Sequence, residues 1–260
     1  MSGPSTVILA TADEITLSAS YWTGPHDAVA YVVCHGFTGS SRTPHVRRIC
    51  TQLAATGSAV LAPDLRGHGR SGGRCTAGDL EIHDVAAAVD WLRTHGYDRV
   101  AVLGWSMGGS AVLRYAGLGG DTDAVVSVSS PGAWFERGTR PMRIVHWMCE
   151  TRTGRFVVRV GRGVRLAPSE SWADAPESPS EVAGRIAPTP LLIVHGDADH
   201  YFPARHVELL SAAAPAATVW LEPGMGHAET ATTPDLVARI VEWVSTVVRP
   251  PVVWDDGRRE

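Results

Sequence analysis

The pentapeptide Gly104-Trp105-Ser106-Met107-Gly108 sets a serine between glycines, directly after the apolar run RVAVLG and directly before a helix-like stretch. Flanking glycines let a chain turn so sharply that the serine hydroxyl stands clear of a sheet. The helix that follows offers free N–H groups that favour developing negative charge. In a strand–turn–helix setting this GxSxG spacing predicts a nucleophile at Ser106. A serine hydroxyl is inert near neutral pH unless a base takes its proton. Of the 11 histidines, His227 in EPGMGHAE follows the last strand-like run, where small glycines let its loop approach the site. His195 ends a strand-like run and is expected to pack there. His35 and His68 sit in glycine-flanked loops and are expected to shape backbone. The base needs an orienting acid that stabilises the imidazolium. Two carboxylates compete for that role in GDADHYFP, Asp197 and Asp199, and the order Ser…Asp…His admits either. Glu136, after the preceding strand-like run, is the next candidate.

These residues need a scaffold that brings positions 106, 199 and 227 together. Strand-like runs occupy 14–21, 29–34, 58–62, 99–104, 123–129, 190–195 and 217–221. Most central ones are continuous aliphatic and β-branched runs rather than alternating ones, as strands covered on both faces read. Helical patterns fall between them at 43–56, 78–95, 107–118, 203–213 and 233–248. In the second, Val85, Ala88, Val89 and Leu92 recur at helical spacing. The alternation predicts an α/β fold with a mostly parallel sheet and functional loops at the strand C-terminal ends. It breaks at 132–185, which is expected to be an insertion over that edge, a lid on a single domain spanning 1–260.

Composition prunes the chemistry. All 23 basic residues are arginine. Without lysine, Schiff-base catalysis, lysine-bound pyridoxal phosphate and Ser-Lys dyads are excluded. Cys34, Cys50, Cys75 and Cys149 are scattered without a CxxC pair, so reduced thiols are expected, with no metal and no cofactor. A net charge of −4 gives no field that would recruit nucleic acid. The N-terminal MSGPSTVILATADE lacks a charged stretch followed by an apolar core, and no run approaches a membrane span. The expectation is a cytoplasmic protein without stable membrane insertion.

Five motifs in order, HGFTGS at 35–40, DLRGHGRSGG at 64–73, GWSMGG at 104–109, HGDADHYFP at 195–203 and GMGH at 224–227, give the chain a family likeness. Across residues 5–248 it resembles the serine-hydrolase branch of the α/β-hydrolase superfamily, and within it short-capped carboxylesterases, feruloyl-type esterases and bacterial monoacylglycerol lipases. The resemblance implies a catalytic triad of Ser106, Asp199 and His227, with Asp197 as a loop-forming neighbour. It also implies an oxyanion hole made by the backbone N–H groups of Phe37 and Met107. Asp64, Arg66 and His68 are then expected to hold loop structure. The implied reaction is cofactor-independent hydrolysis of a carboxylic ester. A thioesterase or acyltransferase acting on a carrier-bound or CoA-linked acyl group is the alternative on the same machinery.

The stretch 134–148 gathers Trp134, Phe135, Met142, Ile144, Val145, Trp147 and Met148. Over a site these would line an apolar acyl or aryl pocket; otherwise they fill the lid's own small core. Trp105, Trp134, Phe135 and Trp147 are the candidate pocket aromatics, and the expected partner is a small-molecule ester with an apolar acyl or aryl part. From Arg137 to Arg165 there are eight arginines and one acid, Glu150. They form a solvated face or attract an anionic portion of the substrate.

Overall fold

The computed structural model describes residues 3–168, 172 and 174–248, so both chain ends and part of the expected lid lie outside the described residues. Eight strands form one sheet: β1 (Ser5–Ala10), β2 (Thr16–Trp22), β3 (Ala30–Cys34), β4 (Val60–Pro63), β5 (Val100–Trp105), β6 (Ala124–Val128), β7 (Leu191–Gly196) and β8 (Thr218–Glu222). The spatial order is β1-β2-β4-β3-β5-β6-β7-β8. The strands from β4 onward run parallel, and β2 and β1 are antiparallel additions at one edge. Every residue of β3 to β7 is buried. That is the physical source of their unbroken apolar runs, because both faces carry helices.

Successive side chains alternate between the two faces. Val32, Val100 and Val102 join the core under α2 (Glu81–Thr94), α3 (Met107–Gly117) and α7 (Arg205–Ala213). Tyr31, Val33, Ala101 and Leu103 join the opposite core with α1 (Pro44–Ala55) and α9 (Pro234–Val247). The expected helices all form, within a few residues at their ends. β1 is an addition to the expected strands. It pairs only with β2 and leaves Ile8 63% exposed, so its apolar run Val7-Ile8-Leu9-Ala10 does not reflect cover on both faces.

Between β6 and β7 the described residues hold α4 (Arg140–Glu150), α5 (Arg152–Arg162) and the short α6 (Pro179–Ala183); α8 (Ala228–Ala231) follows His227. Thr139 and Thr151 cap α4 and α5 by accepting the N–H groups of Met142 and Gly154. The two helices meet where Gly154 lies against the Trp147 carbonyl, too close for any side chain. After α5 the chain is stitched to the loop that precedes α2. The N–H of Cys75 donates to Arg165, and that of Ala167 donates back to Cys75.

Candidate active site

Ser106 sits at the turn between β5 and α3 with φ 52° and ψ −116°, a backbone region costing about 1–3 kcal/mol for a residue with a side chain. Close approach enforces the turn. A Cβ on Gly104 would lie 2.2 Å from the Gly108 carbonyl oxygen, and one on Gly108 would lie 2.2 Å from that of Cys34. The hydroxyl is presented to His227, whose Nε2 stands 3.0 Å from Ser106 Oγ. His227 Nδ1 lies 2.8 Å from Asp199 Oδ2. The other carboxylate oxygen, Oδ1, accepts the N–H groups of Tyr201 (2.8 Å) and Phe202 (3.1 Å). Burial alone would raise the pKa of Asp199. The His227 hydrogen bond, that ring's charge and the two N–H groups outweigh it and hold the carboxyl below its ordinary value.

Geometry separates the two carboxylates that the sequence left in competition. The Asp199 side chain is fully buried against His227, whereas Asp197 is exposed and accepts the Gly224 N–H at 2.6 Å, bracing the loop that carries His227. Glu136 serves elsewhere. Its Oε2 accepts the Nε2–H of His206 at 2.8 Å and also pairs with Arg205, and these two residues open α7. The Gly132 N–H donates to His206 Nδ1 at 3.0 Å, so the ring is neutral with its proton on Nε2. Burial opposes the charge on Glu136, but Arg205, His206 and the Gly138 N–H together bring its pKa down to about 2.

The two residues expected to supply oxyanion donors follow strands of the central sheet. Met107 opens α3, and Phe37 follows β3; among the described residues neither N–H donates to a protein acceptor. The direction of the Phe37 N–H is set from behind. The Leu65 N–H donates to His35 Nε2 (3.0 Å), so the ring proton resides on Nδ1 and is donated to the Gly36 carbonyl (2.8 Å). Burial, with His68 nearby, drives the His35 pKa down to about 3 and keeps the ring neutral. Gly39 donates to the same carbonyl at 3.0 Å. In a trans peptide C=O and N–H point oppositely, so anchoring Gly36 O turns the Phe37 N–H away from this anchor. His35 thus shapes backbone, and His68 Nδ1 lies 3.0 Å from the Arg66 carbonyl in the next loop. Asp64 accepts the N–H groups of Ser41 and Arg70, and Arg66 bonds Asp84 and Asp13.

A cavity of about 840 Å³ opens over Ser106 and His227. Trp134, Phe135, Met142, Val145, Met148 and Leu166 are among its apolar lining, so the stretch between β6 and β7 supplies much of its wall. Two of the expected pocket aromatics are elsewhere. Trp105 is buried in the core shared with α1 and α9, its Nε1 donating to Thr232 Oγ1 at 2.9 Å, because it alternates with Leu103 onto that face of β5. Trp147 is 42% exposed and falls, with Arg143, on the strip of α4 turned away from the cavity. Of the arginines, Arg162 borders the cavity, Arg152 is exposed, and Arg155 donates to the Cys149 carbonyl. Two side chains not singled out from sequence also face the site. Tyr201 stacks on His227 with ring centroids 4.2 Å apart, and Glu229 accepts the Gly36 N–H at 2.6 Å. Both stand within two residues of a triad position, which was the only signal the sequence held for them. Among the described residues no group of three or more His, Cys, Asp or Glu is placed to hold a metal ion, and no helix is long and apolar enough to cross a membrane.

Comparison with known proteins agrees with this architecture. The profile of the alpha/beta hydrolase fold family matches residues 31–153. A monoacylglycerol lipase of Mycolicibacterium smegmatis is 28% identical over 241 residues, covering 79% of this chain and 84% of the lipase. The esterase Pf2001 of Pyrococcus furiosus superposes with a TM-score of 0.72 at 23% identity, covering 95% of this chain and 93% of the esterase. Est1E of Butyrivibrio proteoclasticus, solved with ferulic acid bound, does so with a TM-score of 0.68 at 23% identity over 93% and 99%. The fold is that of the α/β hydrolases, and the chain is similar to esterases and lipases that share it.

Proposed function

We propose that the chain hydrolyses carboxylic esters through an acyl-enzyme formed on Ser106. The observation that carries this reading is the unbroken relay Ser106 Oγ–His227–Asp199 at 3.0 and 2.8 Å, facing an apolar cavity. Ser106 Oγ attacks the ester carbonyl while His227 Nε2 takes its proton, and the carbonyl π electrons move onto oxygen. The N–H groups of Phe37 and Met107 hold that oxyanion. On collapse the bond to the alcohol breaks, and His227 returns the proton to the departing oxygen. Water then attacks the acyl-enzyme with His227 as base, freeing the carboxylic acid and Ser106. Asp199 holds the ring in the tautomer that leaves Nε2 free to accept. The segment between β6 and β7 acts as a cap whose apolar wall receives the acyl or aryl group. A small-molecule ester is the partner, and the similarity to a monoacylglycerol lipase and to esterases supports that class.

Arginine at the cavity edge, Arg162, favours a second reading, in which the acyl group arrives as a thioester on an anionic carrier. One experiment tests the machinery common to both. A fluorophosphonate should add covalently to Ser106 in the wild type and not in Ser106→Ala, read by intact mass and peptide mapping. Folded wild-type protein that takes up no label would rule out an activated serine. Parallel turnover of matched p-nitrophenyl esters and acyl-CoA thioesters then decides between the two readings.

A further inference from the structure

Three glutamates border the cavity without a task in the proposed reaction: Glu136 and Glu150 are taken up by Arg205 and Arg137, whereas Glu229 reaches a backbone N–H beside Ser106. It stands two residues beyond His227, in a short helix pinned on several sides. The Ala228 N–H donates to Ser129 Oγ (3.1 Å), and Arg48 Nη2 reaches the carbonyls of Glu229 (3.3 Å) and Thr232 (2.6 Å). With its backbone fixed there, Oε1 accepts the Gly36 N–H at 2.6 Å. Gly36 is the residue whose carbonyl is clamped by His35 and Gly39 and whose next peptide N–H belongs to Phe37. A Cβ on Gly36 would lie 3.2 Å from Ser106 Cβ and 3.2 Å from Glu229 Oε2, so the carboxyl and the serine share one side of this residue.

We propose that Glu229 is a positioning residue of the oxyanion hole: it holds the Gly36 N–H and thereby fixes the peptide whose Phe37 N–H faces the developing oxyanion. This rests on the ester-hydrolase reading above. Two hydrogen bonds on the Gly36 carbonyl set the plane of that peptide, but rotation of Gly36 about its own φ remains open, and glycine resists it least of all residues. The bond from Gly36 N–H to Glu229 closes that freedom. A carboxylate beside the forming oxyanion would repel it where charges are weakly screened, and the surroundings oppose that charge. Burial raises the carboxyl's pKa above its ordinary value, only partly offset by the Gly36 N–H and by His227 and His45 nearby. The other cationic neighbour, Arg48 on α1, binds the Glu229 backbone carbonyl, and the segment Gly36–Thr38 carries no ionisable side chain.

The test compares Glu229→Ala, Glu229→Gln and wild type with p-nitrophenyl butyrate and with an alkyl boronic acid, whose tetrahedral serine adduct mimics the oxyanion. Losing a whole oxyanion donor costs about 10²–10³ in kcat, so a mis-aimed donor should cost about 10–100-fold. Glu229→Ala should lower kcat and boronate affinity by that factor and leave KM within about twofold, which a general packing defect would not do. Glu229→Gln, neutral and still able to accept the Gly36 N–H, should stay within about threefold of wild type in both. Should Glu229→Ala fail to fold, Glu229→Asp, which withdraws the acid by one methylene, carries the same expectation. Unchanged boronate affinity in Ala or Asp, or Gln as impaired as Ala, overturns the inference while wild-type turnover leaves the hydrolase reading intact. A wild type that neither turns over esters nor takes up a fluorophosphonate overturns both.

Discussion

Asp197 and Asp199 stand two residues apart and do different work, which makes them a sharp test at the scale of single side chains. Asn at the residue that bonds His227 Nδ1 keeps the shape but offers an amide where a carboxylate selected the tautomer, a change that costs about 10⁴ in kcat in serine proteases. Asp199→Asn is therefore expected to lose nearly all turnover. Asp197→Asn keeps an oxygen for the Gly224 N–H and should retain at least about a tenth of the activity, no more than about 1.4 kcal/mol of barrier. Both variants should melt close to wild type, and steady-state kinetics then ranks them. The reverse ranking would move the acid to Asp197.

At the scale of elements, the turn between β5 and α3 depends on contacts that admit no side chain. Gly108→Ala would drive a Cβ into the Cys34 carbonyl at the end of β3, part of the same sheet. A loss of activity together with a fall in melting temperature is expected; near-normal values for both would show that this junction can relax. A second element-level link joins the loop after β6 to α7 through Glu136, Arg205 and His206. The folded pKa of Glu136 is depressed to about 2, so its contribution is present above the ordinary carboxylate range and is lost as pH falls toward 2. Burial holds His206 below its ordinary value as well. The unfolded chain therefore takes up a proton there first as pH drops below about 6.5, with the same sign. Melting temperature should thus rise with pH through the acidic range, and Glu136→Gln should flatten the part below about 4.5. Parallel wild-type and variant curves there would remove Glu136 from the pH response.

For the molecule as a whole, the cavity's size and the chemistry of its wall set the expected substrate range. An 840 Å³ space walled by Trp134, Met142, Val145 and Met148 can take several methylenes, each worth about 0.8 kcal/mol when buried. Across p-nitrophenyl esters from acetate upward, kcat/KM should climb by up to about fourfold per methylene until the chain outgrows the wall. A maximum at acetate would mean that this wall does not receive the acyl group. The rise should weaken when Met148→Ser is introduced on α4, since that side chain borders the cavity.

The chain's order of strand, elbow, acid and histidine was legible in its residues because each depends on local geometry. GxSxG needs small residues at a tight turn, fully covered strands need unbroken apolar runs, and Ser106 and Asp199 follow such strands, whereas His227 follows the half-exposed β8. Burial at the scale of the folded sheet was not legible. Whether Trp105 met the cavity or the opposite core depended on which face of β5 it took, and whether Trp147 met it depended on how α4 rolled against α5. Neither is fixed by neighbours in sequence. The edge strand β1 is held in the sheet only by its partner β2, and the pairing of Glu229 with Gly36, 193 positions apart, exists only once the loop after β8 reaches back across the ends of the intervening strands to the loop after β3. Local turn and strand chemistry marked Ser106 and His227 as candidates, and motif likeness marked Asp199; the long-range packing of helices and strands decided which other side chains surround them.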